Sequence, residues 1–118
     1  MVYDNNNPFA KILRKELPCK YVYEDEYVVA FWSIDPKAPV HILVIPKGSY
    51  VNYRHFIQAA PEGEILGFQR GIIKTAEKMQ LHNGYRIVSN IGEDSGQSVF
   101  HMHMHILGKA KLQDDIDL

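Results

Sequence analysis

The chain has 118 residues, of which 46% are hydrophobic and 23% are charged, which is typical of one globular domain rather than of a disordered chain. Its 13 basic and 14 acidic residues give a formal net charge of −1. A general binder of nucleic acid or of an anionic membrane surface needs a basic excess, so the composition predicts neither partner.

The cysteine content and the polar N-terminus point to a compartment. Cys19 is the one cysteine of the chain, so an internal disulfide cannot form and a reducing compartment is expected. Residues 1–7 are polar and lack the apolar core of a signal peptide. The longest apolar run with strand character, residues 42–45, is far shorter than the ~20 residues that span a bilayer. These features predict a cytoplasmic protein.

The first half of the chain shows a helix start followed by β-favouring runs. Asn7 and Pro8 resemble an N-cap and the proline of a first helical turn. The later runs are rich in aromatic and β-branched residues and are separated by turn residues. In chain order, the predicted segments are a helix that begins at Pro8 and ends before Pro18, a hairpin at 21–24 and 27–31, a loop at 33–39 and a strand at 41–45 that is covered on both faces.

The longest predicted helix begins at Pro61 and carries an apolar stripe down one side. Gly67 and Gly71 lie four residues apart on this helix, and each costs about 1 kcal/mol relative to alanine. Close packing against another backbone, such as that of a second subunit, would offset this cost, and simple tolerance is the alternative. The remaining predicted segments are a turn at 83–84, a strand at 85–90, a glycine-containing loop at 91–97 and a strand at 98–107. Helices separated by hairpins predict an α+β fold.

Residues 101–107 read His-Met-His-Met-His-Ile-Leu. Strict alternation is the period of a strand, so His101, His103 and His105 should lie on one face, ~6.8 Å apart along the strand. Three interpretations are open. The histidines could be a row of surface or satisfied side chains, or they could converge on zinc. They could also line a polar groove in which one neutral imidazole is a nucleophile and its neighbours bind an anion.

The loop before the histidines favours the anion-binding groove. Two glycines, at 92 and at Gly96, would let the backbone approach a ligand closely and turn amide N–H groups toward a phosphate. Gln97 and Ser98 add side-chain donors next to the histidines. The acidic pair at 93–94 could instead serve a metal, so the loop favours the groove without excluding the metal site.

Segment 101–107 matches in full the signature of the histidine triad family, in which histidine and an apolar residue alternate three times before a further apolar residue. Segments 38–47, 84–90 and 96–100 resemble the proline–histidine strand of the family and the strands and loop that precede the triad. In all, roughly residues 7–108 resemble the branch of histidine triad nucleotide-binding proteins that act as purine nucleoside phosphoramidases. Residues 109–118 form a short acidic tail.

The resemblance implies one histidine triad domain over residues 1–118. Its α+β subunit has a five-stranded antiparallel sheet with two helices, and the sheet continues across a homodimer. The implied chemistry is nucleotidyl transfer to histidine with no metal or other cofactor. His103 Nε2 attacks the α-phosphorus of an AMP derivative and displaces an amine, and water then releases AMP. The acceptor for His103 Nδ1–H is implied to be the backbone carbonyl of His101. A neutral imidazole, with a reference pKa of ~6.5, is nucleophilic at pH 7.

The resemblance also implies roles for the residues around His103. His105 contacts the phosphoryl oxygens, and His41 supports the site from the neighbouring strand, unless it is a buried histidine satisfied by backbone groups. Ser98 contacts the leaving group or a phosphate oxygen, unless it is an ordinary hydroxyl at the start of a strand. Asn90, which could instead start a turn, holds the phosphate. The phosphate-binding residues implied are Asn90, Gly96, Gln97 and Ser98.

The sequence departs from the family pattern in three places. Ser33 stands where an aspartate usually holds the ribose hydroxyls, and a serine makes one such contact where a carboxylate accepts two. Asp35 would replace the aspartate if the loop were shifted. Residues 7–10 lack the Cys-x-x-Cys pair that contributes to a structural zinc site in some relatives, so no structural zinc is predicted. The tail lacks the tryptophan-containing end of eukaryotic members, which leaves the preferred leaving group open.

The sequence therefore predicts an enzyme that hydrolyses purine nucleoside phosphoramidates. A dinucleoside polyphosphate hydrolase is the alternative activity on the same fold. A nucleotide-binding regulatory or scaffold protein with incidental catalysis is the alternative from another class, and a metal hydrolase outside the family ranks last.

Overall fold

One antiparallel sheet forms the centre of the fold. The computed structural model describes residues 2–114 of the chain. The strands lie in the order β1-β2-β3-β5-β4, and every neighbouring pair is antiparallel. The strands are β1 (Tyr21–Glu24), β2 (Val28–Trp32), β3 (Val40–Pro46), β4 (Tyr85–Val88) and β5 (Met104–Gly108). The predicted α+β class and five-stranded antiparallel sheet are confirmed.

Three α-helices lie within residues 2–114, one more than predicted. They are α1 (Pro8–Leu13), α2 (Tyr53–Ala59) and α3 (Glu62–Lys78). The sequence reading missed α2 because Phe56 is its one buried residue, so no apolar stripe marks it. Its start does carry a local signal, since the Asn52 side chain accepts a hydrogen bond from His55 N at 2.9 Å. None of the helices in this part of the chain has the length and apolar character needed to cross a membrane.

Strand β3 is the central strand, as its apolar sequence predicts. It pairs with β2 on one side and with β5 on the other, and all seven of its residues are buried. In the β3–β5 register, His41 lies opposite Leu107 and Leu43 lies opposite His105. The histidine of β3 is therefore close to the third histidine of the triad.

The two faces of the sheet are covered by different helices. Phe68 and Ile72 of α3 belong to the same buried cluster as Ile106 of β5. Phe9 and Ile12 of α1 belong to a second buried cluster, which includes residues of β2 and β3. Because alternate residues of a strand point to opposite faces, β2 and β3 contribute side chains to both clusters.

Two glycines of α3, Gly67 and Gly71, pack inside the subunit. A methyl group added at Gly67 would overlap the ring of Tyr27, and one added at Gly71 would lie 2.7 Å from Cγ2 of Val28. Both contacts place α3 directly on the start of β2. The close approach offsets the cost of the two glycines, and it involves residues of this chain rather than the second subunit considered from the sequence.

Two strands are shorter than predicted. Strand β4 ends at Val88 rather than at residue 90, and β5 begins at Met104 rather than at residue 98. The backbone N–H of Met102 donates to Tyr50 O at 2.7 Å, so the loop after β3 takes the place of a neighbouring strand there. The first two histidines of the triad consequently lie just before β5.

Candidate active site

Four histidines come together on the face of the sheet that α1 covers. The rings of His103 and His105 have centroids 5.1 Å apart, and those of His41 and His105 are 5.2 Å apart. The edge contact between Phe9 and His103 has centroids 5.0 Å apart and perpendicular planes, and Phe9 also lies against His101. The alternation predicted from the sequence thus places the imidazoles together, although the strand itself begins only at Met104.

His103 is held with Nε2 as its unprotonated nitrogen. Its Nδ1 lies 2.7 Å from the backbone oxygen of His101. A carbonyl oxygen can only accept, so Nδ1 carries the proton and Nε2 of the neutral ring keeps its lone pair. Burial lowers the pKa of His103, although the hydrogen bond to His101 opposes this shift. The ring is therefore neutral near pH 7, with the acceptor that the sequence resemblance implied.

His41 and His105 form a second hydrogen-bonded unit. The backbone N–H of Lys37 donates to His41 Nδ1 at 3.0 Å, so the proton of the neutral His41 ring lies on Nε2. This N–H donates to His105 Nδ1 at 2.9 Å. The neutral His105 ring then carries its proton on Nε2. The half-buried His105 therefore presents an N–H donor next to the lone pair of His103.

Burial keeps this second pair uncharged. It lowers the pKa of His105 to about 3, with the neighbouring His103 and His41 acting in the same direction. The pKa of His41 is lowered first by burial and then by the positive charge of Lys37, while Asp35 opposes the shift. Both rings are uncharged at neutral pH, and each carries one N–H. The direction of the hydrogen bonds from the Lys37 amide through His41 to His105 is therefore fixed.

His101 differs from the other two triad histidines because both of its nitrogens have partners in the protein. The ring is fully buried, with Nε2 2.9 Å from Pro46 O and Nδ1 2.5 Å from the hydroxyl of Tyr3. Burial lowers its pKa to about 4. The sequence reading missed both Tyr3 and the contact of Phe9 with His103. An aromatic residue in an otherwise polar segment was the one available signal for Tyr3.

The loop before the triad is more compact than the sequence predicted. Residues Glu93–Ser95 form a 3-10 helix between Gly92 and Gly96, whose positive φ angles of 80° and 85° favour glycine. The amide of Gly96 donates to Glu93 O at 2.9 Å. The amide of Gln97 donates to Gly92 O at 3.3 Å. These two N–H groups therefore donate within the loop. A phosphate could contact Gly96 because a residue without a side chain lets the ligand come close to the backbone.

Gln97 holds the loop with its side chain. Its Oε1 accepts from the backbone N–H of Gly92 at 2.8 Å. Its Nε2 donates to Val51 O at 2.8 Å and to Val99 O at 3.0 Å. The side chain is buried, so it connects the loop to the segment after β3. Gln97 was expected to contact the phosphate with its side chain. Since that side chain bonds to backbone groups, Gln97 would support phosphate binding by holding the loop in position.

Asn90 and Ser98 lie at the two ends of the same loop. Asn90 Nδ2 donates one of its two N–H groups to Ser95 O at 2.7 Å, and the second N–H is the one that could donate to a phosphate oxygen. Ser98 is exposed, directly before the residues that lead into the triad. Both positions are consistent with the ligand contacts expected from the sequence.

Ser33 and Asp35 have different surroundings. The backbone N–H of Ser33 donates to His41 O at 2.9 Å, which places Ser33 next to the histidine unit. The carboxylate of Asp35 instead accepts from Lys37 Nζ at 3.0 Å in an exposed ion pair. A cleft of about 830 Å³ opens next to Ser33, and Asp35 is not part of its lining. The lining residues are Pro18, Cys19, Lys20, Trp32, Ser33, Ile34 and Pro36.

The described part of the chain contains no group of three or more His, Cys, Asp or Glu side chains arranged to hold a metal ion. At the position of the family's Cys-x-x-Cys pair, the Asn7 side chain caps α1 by accepting from Phe9 N and Ala10 N. Ala10 is buried and has no ligating atom in its side chain. The residues of this segment do not fit a zinc site.

Comparison with known proteins identifies the family of the chain. The family model of the HIT domain matches residues 14–112. An uncharacterized 13.2 kDa HIT-like protein of Azospirillum brasilense is 50% identical over 111 residues, which cover 93% of this chain and 91% of that protein. A 14 kDa zinc-binding protein of Zea mays is 42% identical over 117 residues, covering 92% of this chain and 86% of that protein.

The fold is also shared with solved structures. A HIT family hydrolase from Legionella pneumophila has a TM-score of 0.85 and 33% identity, covering 92% of this chain and 97% of that chain. The segment matched by the family model includes all four histidines of the site. The resemblance seen in the histidine motif is thus confirmed over nearly the whole length, and the chain belongs to the HIT domain family.

Proposed function

We propose that this chain hydrolyses the P–N bond of purine nucleoside 5′-phosphoramidates, of the AMP-amine or AMP-lysine type, through a nucleotidyl-His103 intermediate. The observation that carries the proposal is the hydrogen bond from His103 Nδ1–H to the backbone oxygen of His101. It leaves the lone pair of Nε2 for attack on phosphorus. Burial keeps that nitrogen unprotonated near pH 7.

The reaction has two displacements at phosphorus. His103 Nε2 attacks the α-phosphorus, the P–N bond of the substrate breaks, and the amine leaves with the electron pair and takes a proton from water. The nucleotidyl imidazole is positively charged, and its Nδ1–H donates to His101 O throughout. Water then attacks phosphorus and loses a proton to solvent, which balances the proton taken up by the amine. The bond to Nε2 breaks with its electron pair returning to that nitrogen, and the nucleoside monophosphate is released.

His105 supports both displacements by donating from Nε2–H to a phosphoryl oxygen. Its orientation follows from the hydrogen bonds that run from Lys37 N–H through His41. A preorganised donor of this kind stabilises the charge that develops on the phosphoryl oxygens in the transition state. In this scheme Ser98 and the second N–H of the Asn90 amide contact the substrate from the loop before the triad.

The nucleoside would occupy the cleft next to Ser33. Trp32 and the fully exposed Ile34 provide apolar surface for a purine base. In this proposal Ser33 makes one hydroxyl contact with the ribose. In this scheme the cleft takes the base and ribose, and the histidines and the loop before the triad take the phosphate.

No zinc enters this scheme. The name of the maize relative records zinc binding by that protein, whereas residues 7–10 of this chain provide no zinc ligand. We therefore assign the chemistry to the histidines alone. A cytoplasmic location remains a prediction that rests on the single free Cys19.

We also propose that the chain forms a homodimer in which β4 continues the sheet. Strand β4 lies at one edge of the described sheet and its Ile87 is exposed. Leu66 and Ile73, on the helix that covers the same face as Ile87, are exposed as well. Light scattering should give twice the monomer mass for the wild type, a monomer for Ile87→Lys and a dimer for the matched variant Ile57→Lys. A monomeric wild type would overturn the proposal.

The activity is tested by AMP release from adenosine 5′-phosphoramidate and from AMP–lysine in the presence of EDTA. The wild type should release AMP, and the intact-protein mass of a rapidly quenched sample should show the AMP adduct. His103→Ala should show neither, while it retains AMP binding. His82→Ala, which removes an exposed histidine remote from the motif, is the matched control and should behave as the wild type does.

Three results would redirect the assignment. Full activity of His103→Ala would exclude His103 as the nucleophile. Loss of wild-type activity in EDTA would favour a metal hydrolase. AMP binding without AMP release from phosphoramidates would favour a dinucleoside polyphosphate substrate, or a regulatory or scaffold role.

A further inference from the structure

The N-terminal segment, residues 2–7, contacts the triad through Tyr3. His101 is fully buried, and an imidazole without partners for both nitrogens is unfavourable in such a place. Its Nε2 lies 2.9 Å from the carbonyl oxygen of Pro46 and must be the protonated nitrogen. Nδ1 is then an acceptor, and the Tyr3 hydroxyl 2.5 Å away donates to it. Ninety-eight residues separate the two partners in sequence.

Local structure aims Tyr3 at this nitrogen. The backbone N–H of Asn7 donates to Asp4 O at 3.2 Å, and Asn7 Nδ2 donates to the same oxygen at 2.7 Å. The Oδ1 atom of Asn7 meanwhile caps α1. One side chain therefore starts the helix and closes the turn at 4–7, which directs the preceding residue toward the triad. The rings of Tyr3 and His101 meet edge to face, with centroids 5.6 Å apart.

We propose that Tyr3 is a positioning residue for His103 that acts through His101. The Tyr3 hydroxyl fixes the tautomer and rotation of the His101 ring, and Pro46 holds the other side of that ring. The backbone oxygen of the same residue, His101, accepts the proton of His103 Nδ1 at 2.7 Å. The proposal rests on the proposed function, in which His103 must keep the lone pair of Nε2 toward the substrate.

Removing the Tyr3 hydroxyl should loosen this chain of contacts. His101 would keep its bond to Pro46 but would have a buried nitrogen without a donor, and the ring could turn or change tautomer. Its carbonyl would then hold His103 less firmly. The proposed function assigns Tyr3 no contact with the substrate, so the loss should fall on the chemical step rather than on substrate binding.

The test is Tyr3→Phe, which keeps the ring and removes the hydroxyl, compared with Tyr23→Phe. Tyr23 likewise has one hydroxyl hydrogen bond, to Asp25 at 2.8 Å, on the strand farthest from the triad. We expect kcat for AMP release to fall about tenfold in Tyr3→Phe, with KM changed by less than about twofold. Tyr23→Phe should retain the wild-type kcat.

Ring ¹⁵N spectra give a second measurement that does not depend on turnover. In the wild type, His101 should show a protonated Nε2 and an Nδ1 that accepts a hydrogen bond, and His103 should show a protected Nδ1–H. Tyr3→Phe should shift the His101 Nδ1 resonance and speed exchange of the His103 proton with water. Tyr23→Phe should leave both unchanged.

The two measurements separate the two proposals. If the wild type releases no AMP, the proposed function fails, and the spectra alone decide the role of Tyr3. Unchanged His101 and His103 resonances in Tyr3→Phe would overturn the positioning role. So would an equal loss of kcat in the two tyrosine variants, since it would trace the effect to general stability.

Discussion

Acid should destabilise the folded chain through its buried histidines. Burial lowers the pKa of His101 from 6.5 to about 4. Between these values the unfolded chain binds a proton that the folded chain excludes. The stability is therefore fully present above 6.5 and is lost as the pH falls toward 4. At about pH 5, linkage gives a loss of about 2 kcal/mol for His101 relative to neutral pH. The pKa of His105, lowered to about 3, adds a loss of the same sign.

Urea unfolding near neutral pH and near pH 5 measures this loss. The matched variant is His101→Gln, because its amide can still donate to Pro46 O but does not titrate. Between the two pH values, His101→Gln should lose about 2 kcal/mol less than the wild type does. His82→Gln removes an exposed histidine and should reproduce the wild-type loss. If His101→Gln lost as much stability as the wild type, the His101 ring would bind its proton equally well in the folded and the unfolded chain, and the reasoning would be wrong.

Three further predictions concern activity and packing. The value of kcat/KM should rise with pH and reach half of its plateau below pH 6.5, because burial lowers the pKa of His103 and the neutral ring is the nucleophile; an acid limb centred above that value would contradict this. Ser33→Asp should lower KM for ribonucleotide substrates by about tenfold relative to 2′-deoxy substrates, since a carboxylate accepts from both ribose hydroxyls, and equal changes for both would count against the ribose contact. Gly67→Ala should reduce the free energy of unfolding by about 1–3 kcal/mol because its methyl group overlaps Tyr27. Gly63→Ala on the same helix has no neighbour within 4 Å and should not destabilise the chain.

Local patterns in the sequence were sufficient for most of the fold. The apolar run of β3 and the alternation in the triad specify a central strand and a one-sided row of imidazoles, because both patterns follow from the geometry of a strand. The cap at Asn7 was visible for the same reason, since capping involves residues a few positions apart. Helix α2 was missed because a single buried residue, Phe56, gives no periodicity.

The parts of the site that the sequence did not reveal depend on long-range contacts. Tyr3 contacts His101 from the other end of the chain, and no spacing rule links two such positions. Gln97 was expected to touch phosphate because it lies beside the triad in sequence. Its side chain instead bonds to the backbone of Val51, and that contact requires the loop after β3 to fold back. The same loop provides the Tyr50 carbonyl, which accepts from the backbone N–H of Met102 just before β5 begins.

The partners of the histidines explain how one strand can supply rings with different functions. Lys37 N–H, Pro46 O and His101 O are backbone groups, and each assigns one ring nitrogen as donor or acceptor without bringing a charge. A carboxylate in any of these places would favour the imidazolium form and raise the pKa of the ring. Uncharged partners combined with burial keep the imidazoles neutral and still distinguish them. His103 thus offers a lone pair and His105 an N–H, although the two rings are 5.1 Å apart and belong to the same sequence repeat.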